Sequence, residues 1–138
     1  MLILLLVVLL FYIGISNSSF KQQSCSFEGF FSCHSYKIDS SAGLALETGQ
    51  ATGGSVIVYA ISCTSSPEGL PVFQALSNAV FIPHGDYRYI AGGNSGNIIH
   101  CGAPERGDSF RQKICLVYSA VDFRVNHTAC GNLATRVE

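Results

Sequence analysis

The chain contains no tryptophan, and its one methionine is the initiator. Charge is scarce as well. Only 12% of residues are charged, and 8 Lys+Arg stand against 9 Asp+Glu for a net charge of −1. No basic stripe runs along the sequence to follow a phosphate backbone, so nucleic acid is not the expected partner. No basic amphipathic stretch suits an anionic membrane surface either. There is no C-x-x-C pair, which removes the usual signature of a zinc ribbon or a thioredoxin-type redox site. Internal repeats, low-complexity linkers and a second long apolar run are all missing.

The chain does have an uncharged apolar N-terminus, Met1–Ile15, followed by Ser16-Asn17-Ser18-Ser19. About 14 apolar residues are fewer than the roughly 20 that a membrane-spanning helix needs, and small residues follow, so the segment reads as a secretory signal peptide. Cleavage after Ser16 or Ser18 leaves small residues at the −3 and −1 positions, and residues 1–18 are assigned to the signal. The rival reading is an uncleaved anchor, because the only positive charge ahead of the apolar core is the chain's own amine. Residues 19–138 then form one secreted domain that passes through the endoplasmic reticulum lumen, with no stable membrane span after cleavage.

Six cysteines follow: Cys25, Cys33, Cys63, Cys101, Cys115 and Cys130. An even count in a short exported chain predicts a disulfide framework, with 15 connectivities open. Two acceptor sequences for N-linked glycans are present, Asn17-Ser18-Ser19 and Asn126-His127-Thr128. Asn126 is the stronger candidate, since Asn17 is lost with the signal or left close to the new terminus.

Fourteen glycines and only four prolines suit short strands joined by tight turns. Ser55–Thr64 is the clearest strand, β-branched and aromatic between Gly53-Gly54 and Ser66-Pro67. Phe27–Ile38, Pro71–Leu76, Ala79–Ile82 and Phe110–Val125 are further extended candidates. Residues 87–101 read as a hairpin about Gly92–Gly96. Ser41–Thr52 is small and polar enough for a loop, with a helical turn over Ala42–Glu47 as the alternative, and the tail from Asn132 is too short to assign. Seven or eight strands in roughly 120 residues predict an all-β, disulfide-stapled sandwich, with an immunoglobulin-like arrangement as the leading architecture. Cys63 and Cys115 both lie in strong strand candidates, and a bridge between them would pin facing sheets as in an immunoglobulin domain. However, there is no Trp to pack on such a bridge, and Lys113 stands where that family has Tyr.

Catalytic motifs fail on inspection. Ile99-His100-Cys101 and Gly107-Asp108-Ser109 look like the histidine and serine segments of chymotrypsin-like proteases. Phe110-Arg111 nevertheless replaces the Gly-Gly that should follow the serine, and Ser109 comes too soon after His100. His34 and His100 each adjoin a cysteine, yet oxidised cysteines offer a metal no thiolate, so no metal site is expected. Glu28, Asp39, Glu47 and Asp86 are the candidate acids for glycoside chemistry, near His84 or His100, and solvated loop acids are the ordinary explanation. No pattern calls for a cofactor, and the expectation is that the protein is not an enzyme.

Arg106-Gly107-Asp108-Ser109 resembles the integrin-binding loop of adhesion proteins and disintegrins. Its glycine lets Arg and Asp splay apart, so the carboxylate can complete a receptor-held metal's shell. The bland alternative is a polar turn, expected to be exposed and mobile. Tyr87, Tyr89 and Phe81, flanked by Gly85 and Gly92, form a second candidate contact surface, because Tyr anchors interfaces. Core and cross-strand packing is the rival account of these rings.

The signal Met1–Ser16, the cysteine-stapled region Cys25–Cys130 with its acceptor Asn126-His127-Thr128, and the close at Glu138 together resemble small secreted viral accessory glycoproteins. The plan is similar to that of coronavirus accessory proteins with immunoglobulin-like folds. That resemblance implies action by binding host secretory-pathway or cell-surface proteins, as an immune-modulating factor or effector. An integrin-binding adhesion module and a small secreted hydrolase are the alternatives.

Overall fold

Short runs of β-branched and aromatic residues, separated by glycine turns, fold among the described residues as eight strands. The computed structural model describes residues 2–17, with side chains for 2–9, and residues 23–138. Helix α1 covers Leu2–Asn17. At 1.5 Å per residue it is ~24 Å long, less than the ~30 Å hydrocarbon core of a bilayer. Among the described residues no helix is long and apolar enough to cross a membrane. The side chain of Asn17, its neighbours Ser18 and Ser19, and the two expected cleavage points lie outside the described side chains.

The strands are β1 (Ser24–Phe27), β2 (Phe31–Asp39), β3 (Gly43–Gln50), β4 (Val56–Ser65), β5 (Pro71–Ile82), β6 (Tyr87–Ala91), β7 (Ser109–Ala120) and β8 (His127–Arg136). They make two antiparallel sheets, a five-stranded one in the order β1-β8-β7-β4-β5 and a three-stranded one in the order β2-β3-β6. The all-β, disulfide-stapled sandwich is therefore the observed architecture. Its single core joins Phe31, Ile38, Leu44 and Leu46 of the small sheet to Val58, Ile61, Ile114, Leu116 and Leu133 of the large one. Each such side chain contributes roughly 1.5–3 kcal/mol on burial. Past β8 the chain crosses to the other sheet: Val137 is buried, and the Glu138 amide donates to the Ile38 carbonyl at 2.8 Å.

An immunoglobulin sandwich joins strands A, B and E in one sheet and G, F and C in the other. Counted from β2, the neighbours here run the same way, β2-β3-β6 in one sheet and β8-β7-β4 in the other, with β5 added beside β4 and β1 an extra strand beside β8. The expected Cys63–Cys115 bridge is corrected. The bridges are Cys25–Cys33, Cys63–Cys101 and Cys115–Cys130. Cys115 lies directly opposite Cys130 in the β7–β8 ladder, with Cα atoms 4.1 Å apart, the spacing of the closer kind of antiparallel pair. Ile61 and Cys63 point into the core, whereas Cys115 shares the outward face with Lys113 and Arg111, so Cys63 and Cys115 are on opposite sides of one sheet. The two sheets are instead tied by Cys25–Cys33 between β1 and β2. Cys63–Cys101 fastens β4 to the segment after β6.

Other expectations change in detail. The segment assigned to a loop, Ser41–Thr52, contains β3, the central strand of the small sheet. Its Leu44, Leu46, Thr48 and Gln50 alternate inward. The proposed hairpin 87–101 is only half strand. β6 pairs with β3, and residues 97–100 run without a ladder along the side of the sandwich. Pro71–Leu76 and Ala79–Ile82 merge into β5 across a register break, and the tail from Asn132 belongs mostly to β8.

Candidate binding surfaces

Arg106 and Gly107 are the central residues of a four-residue turn closed by the Asp108 amide, which donates to the Glu105 carbonyl at 3.0 Å. Gly107 has φ +91°, the left-handed conformation that a type II turn requires at its third position. Arg106, Gly107 and Asp108 are all exposed. The backbone is nevertheless held rather than loose: the Gly107 amide donates to Val137 O at 2.8 Å, and the Val137 amide donates to Asp108 O at 2.9 Å. Asp108 Oδ2 accepts from the Glu105 amide at 3.1 Å, which leaves Oδ1 as the outward acceptor. The expected exposure is present, but the expected mobility gives way to two bonds with Val137, just past β8.

The outer face of the small sheet carries a second arrangement. The ladder of β2 on β3 slips between Cys33 and Ser35, which makes His34 the extra residue of a bulge. Bulges re-aim side chains, and here the His34 ring stacks on Tyr87 with centroids 4.2 Å apart. His34 Nδ1 also pairs with Glu47 Oε1, from the next strand. Gly49 permits this contact, since a Cβ there would sit 2.6 Å from the Tyr87 ring. Tyr87 stays 43% exposed while being held from beneath and from one side. Tyr89 lies on the same strand. Phe81, half exposed, belongs to β5 of the other sheet, so the three aromatics grouped from sequence do not share one hairpin.

Two of the candidate acids, Asp39 and Asp86, lie far apart. Asp39 ends β2 at one end of the small sheet and Asp86 precedes β6 at the other, about eight residues or ~25 Å of strand apart. That is beyond the ~5–9 Å that a glycosidase carboxylate pair needs. Asp39 Oδ1 accepts from the Ser41 and Ala42 amides and the Ser41 hydroxyl, and these bonds, led by Ala42, lower its pKa to about 2. The Tyr87 amide, and then Arg88 at 2.6 Å, hold Asp86 below the usual carboxylate range. Glu47 is engaged by His34. His84 Nδ1 accepts from the Gly53 amide at 3.3 Å. His34 and His100 adjoin cysteines whose sulfurs are bridged, and among the described residues no group of three His, Cys, Asp or Glu side chains could hold a metal ion.

No protein-family model matches the chain, and neither a curated protein nor a solved structure matches it. Its chemistry has to be read from its own surface. Asn126 is exposed in the connection just before β8, with Thr128 exposed beside it, which is an open setting for a glycan. His34 and Glu47 escaped the sequence reading as surface partners of Tyr87. They are 13 residues apart, and only the bulge brings them together. Cys33 drew attention to His34 for a different chemistry.

Proposed function

We propose that the protein is an exported, disulfide-stabilised glycoprotein that acts by binding host or extracellular proteins, in the manner of an immune-modulating accessory factor or effector, and not by catalysis. The observation that carries this reading is Tyr87, an exposed aromatic fixed over Gly49 and against His34. A tyrosine that is already ordered loses little entropy on binding, which is why such residues anchor interfaces. Three disulfides and the apolar leader fit passage through the secretory pathway. The dispersal of Asp39 and Asp86 argues against a hydrolase built on that pair.

Labelled mature protein should bind saturably to protein on host cells or in host secretions. Tyr87→Ser should weaken that binding at least about tenfold while leaving the fold intact by circular dichroism, in line with the loss of a tyrosine hot spot. Unchanged binding by the variant, or no saturable binding at all, would overturn the proposal. A second reading, integrin adhesion through Arg106-Gly107-Asp108, is favoured by the exposed turn with Gly107 at its apex.

A further inference from the structure

We infer that the outer face of the five-stranded sheet is a binding site for acidic, sulfated glycan. This goes beyond the protein-binding reading and uses a different face. None of the five strands β1, β4, β5, β7 and β8 contains an Asp or a Glu. The acids of this net-negative chain sit in the connections, at the C-terminus and in the small sheet. Arg111, Lys113 and Arg136 are the cationic side chains of the large sheet, and the register gathers them. Arg111 lies opposite Ala134, Lys113 opposite Asn132, and Arg136 opposite Ser109, in successive rows of one face. Ile114 and Leu116 take the alternate positions into the core, so Arg111 and Lys113 point outward, both exposed.

Short side chains around these cations leave room for a ligand. Ser24 and Asn132 line a basin of about 340 Å³ with Ala134, Arg111 and Lys113. Its volume is at the lower end of the range for small-ligand sites, roughly 300–1,000 Å³. Neither Arg111 nor Lys113 makes an ion pair or hydrogen bond with another described residue, so both charges are available to an external anion. Guanidinium takes sulfate or carboxylate in a bidentate fork, and the ammonium adds a point charge ~7 Å further along the strand. Hydroxyl and amide groups at Ser24 and Asn132 suit sugar hydroxyls. No exposed aromatic lines the basin to stack a base or anchor a peptide side chain, which favours a glycan among polyanions.

The test measures binding of a heparin-derived hexasaccharide to the full mature protein by calorimetry at two salt concentrations. Wild type should bind, more weakly as salt rises. Arg111→Ser combined with Lys113→Ser should lose at least about tenfold and most of the salt dependence. Arg124→Ser, a cation outside this sheet, should bind as wild type does. Equal binding by the double variant, an equal loss in Arg124→Ser, or tighter binding of an oligoglutamate peptide or a single-stranded oligonucleotide than of the hexasaccharide would each overturn the proposal. Tyr87→Ser should retain glycan binding, and the double variant should retain protein binding on cells stripped of sulfated glycan. Failure of one site is thereby distinguished from failure of the other.

Discussion

The side-chain amide of Asn97 pairs with the backbone of Asn78 as a neighbouring strand would. Asn97 Oδ1 accepts from the Asn78 amide at 2.8 Å, and Asn97 Nδ2 donates to the Asn78 carbonyl at 2.8 Å. The same Nδ2 donates to Ile90 O at 2.8 Å. The β4–β5 ladder skips from Val80 to Ala75, which leaves Asn78 outside it. One buried side chain thus replaces the missing ladder, joins β5 to β6 and covers part of an exposed sheet edge. Gln74 adds a second tie, donating to His100 O at 3.0 Å.

Asn97→Ala should destabilise the fold by about 1–3 kcal/mol, because the Ile90 carbonyl and the Asn78 backbone lose partners that water reaches only in part. Urea unfolding measures this. A shift under ~0.5 kcal/mol would mean that the segment rearranges to satisfy them.

Peptide mapping of secreted protein should pair Cys63 with Cys101, and no thiol should react before unfolding. Closing a loop with a sequence separation of 38, this bridge constrains the unfolded chain more than Cys25–Cys33, with a separation of 8. Chain-entropy reasoning gives ~4 kcal/mol against ~2.5 kcal/mol. Replacing each pair by Ala should rank the losses in that order.

Asp39 sets a pH dependence whose sign follows from its direction. Its folded pKa, about 2, is below the ~3.9 of an unfolded aspartate. The group therefore stabilises the fold above pH ~4, and that contribution is lost as pH falls through the folded value. Carbonyl-detected NMR should follow its titration near pH 2. Asp39→Ala should flatten the stability curve between pH 4 and 2, and a midpoint near 4 would contradict the turn geometry.

Secretion from mammalian cells should attach a glycan at Asn126. Asn126→Gln should then migrate like enzymatically deglycosylated wild type. Two glycan shifts would place Asn17 in the mature product, contrary to cleavage after Ser18.

Asp108→Glu separates adhesion from a structural turn. If integrin engages Asp108, the added methylene misplaces the metal-coordinating carboxylate and cell attachment is lost, with stability shifting by under ~0.5 kcal/mol. Attachment equal in both proteins, or absent in both, leaves the turn as a fastening between Gly107 and Val137.

The sequence by itself determined the strand-rich class, because β-branched runs such as Val56–Tyr59 and glycine turns are local signals. It also marked the apolar N-terminus, the even set of cysteines and the acceptor sequence at Asn126. Tertiary structure decided the rest. β3 looked like a loop because Gly43, Ala45 and Gly49 have low strand propensity. Ladders on both sides and the Tyr87 ring over Gly49 make it central. The connectivity of Cys63 turned on which face of β7 carries Cys115, and a one-residue change in register inverts every face. The pairing of His34 with Glu47 and Tyr87, and the gathering of Arg111, Lys113 and Arg136, likewise depend on a bulge and on strand order. Local residue preferences encode neither, because each is set by which distant strands come to lie side by side.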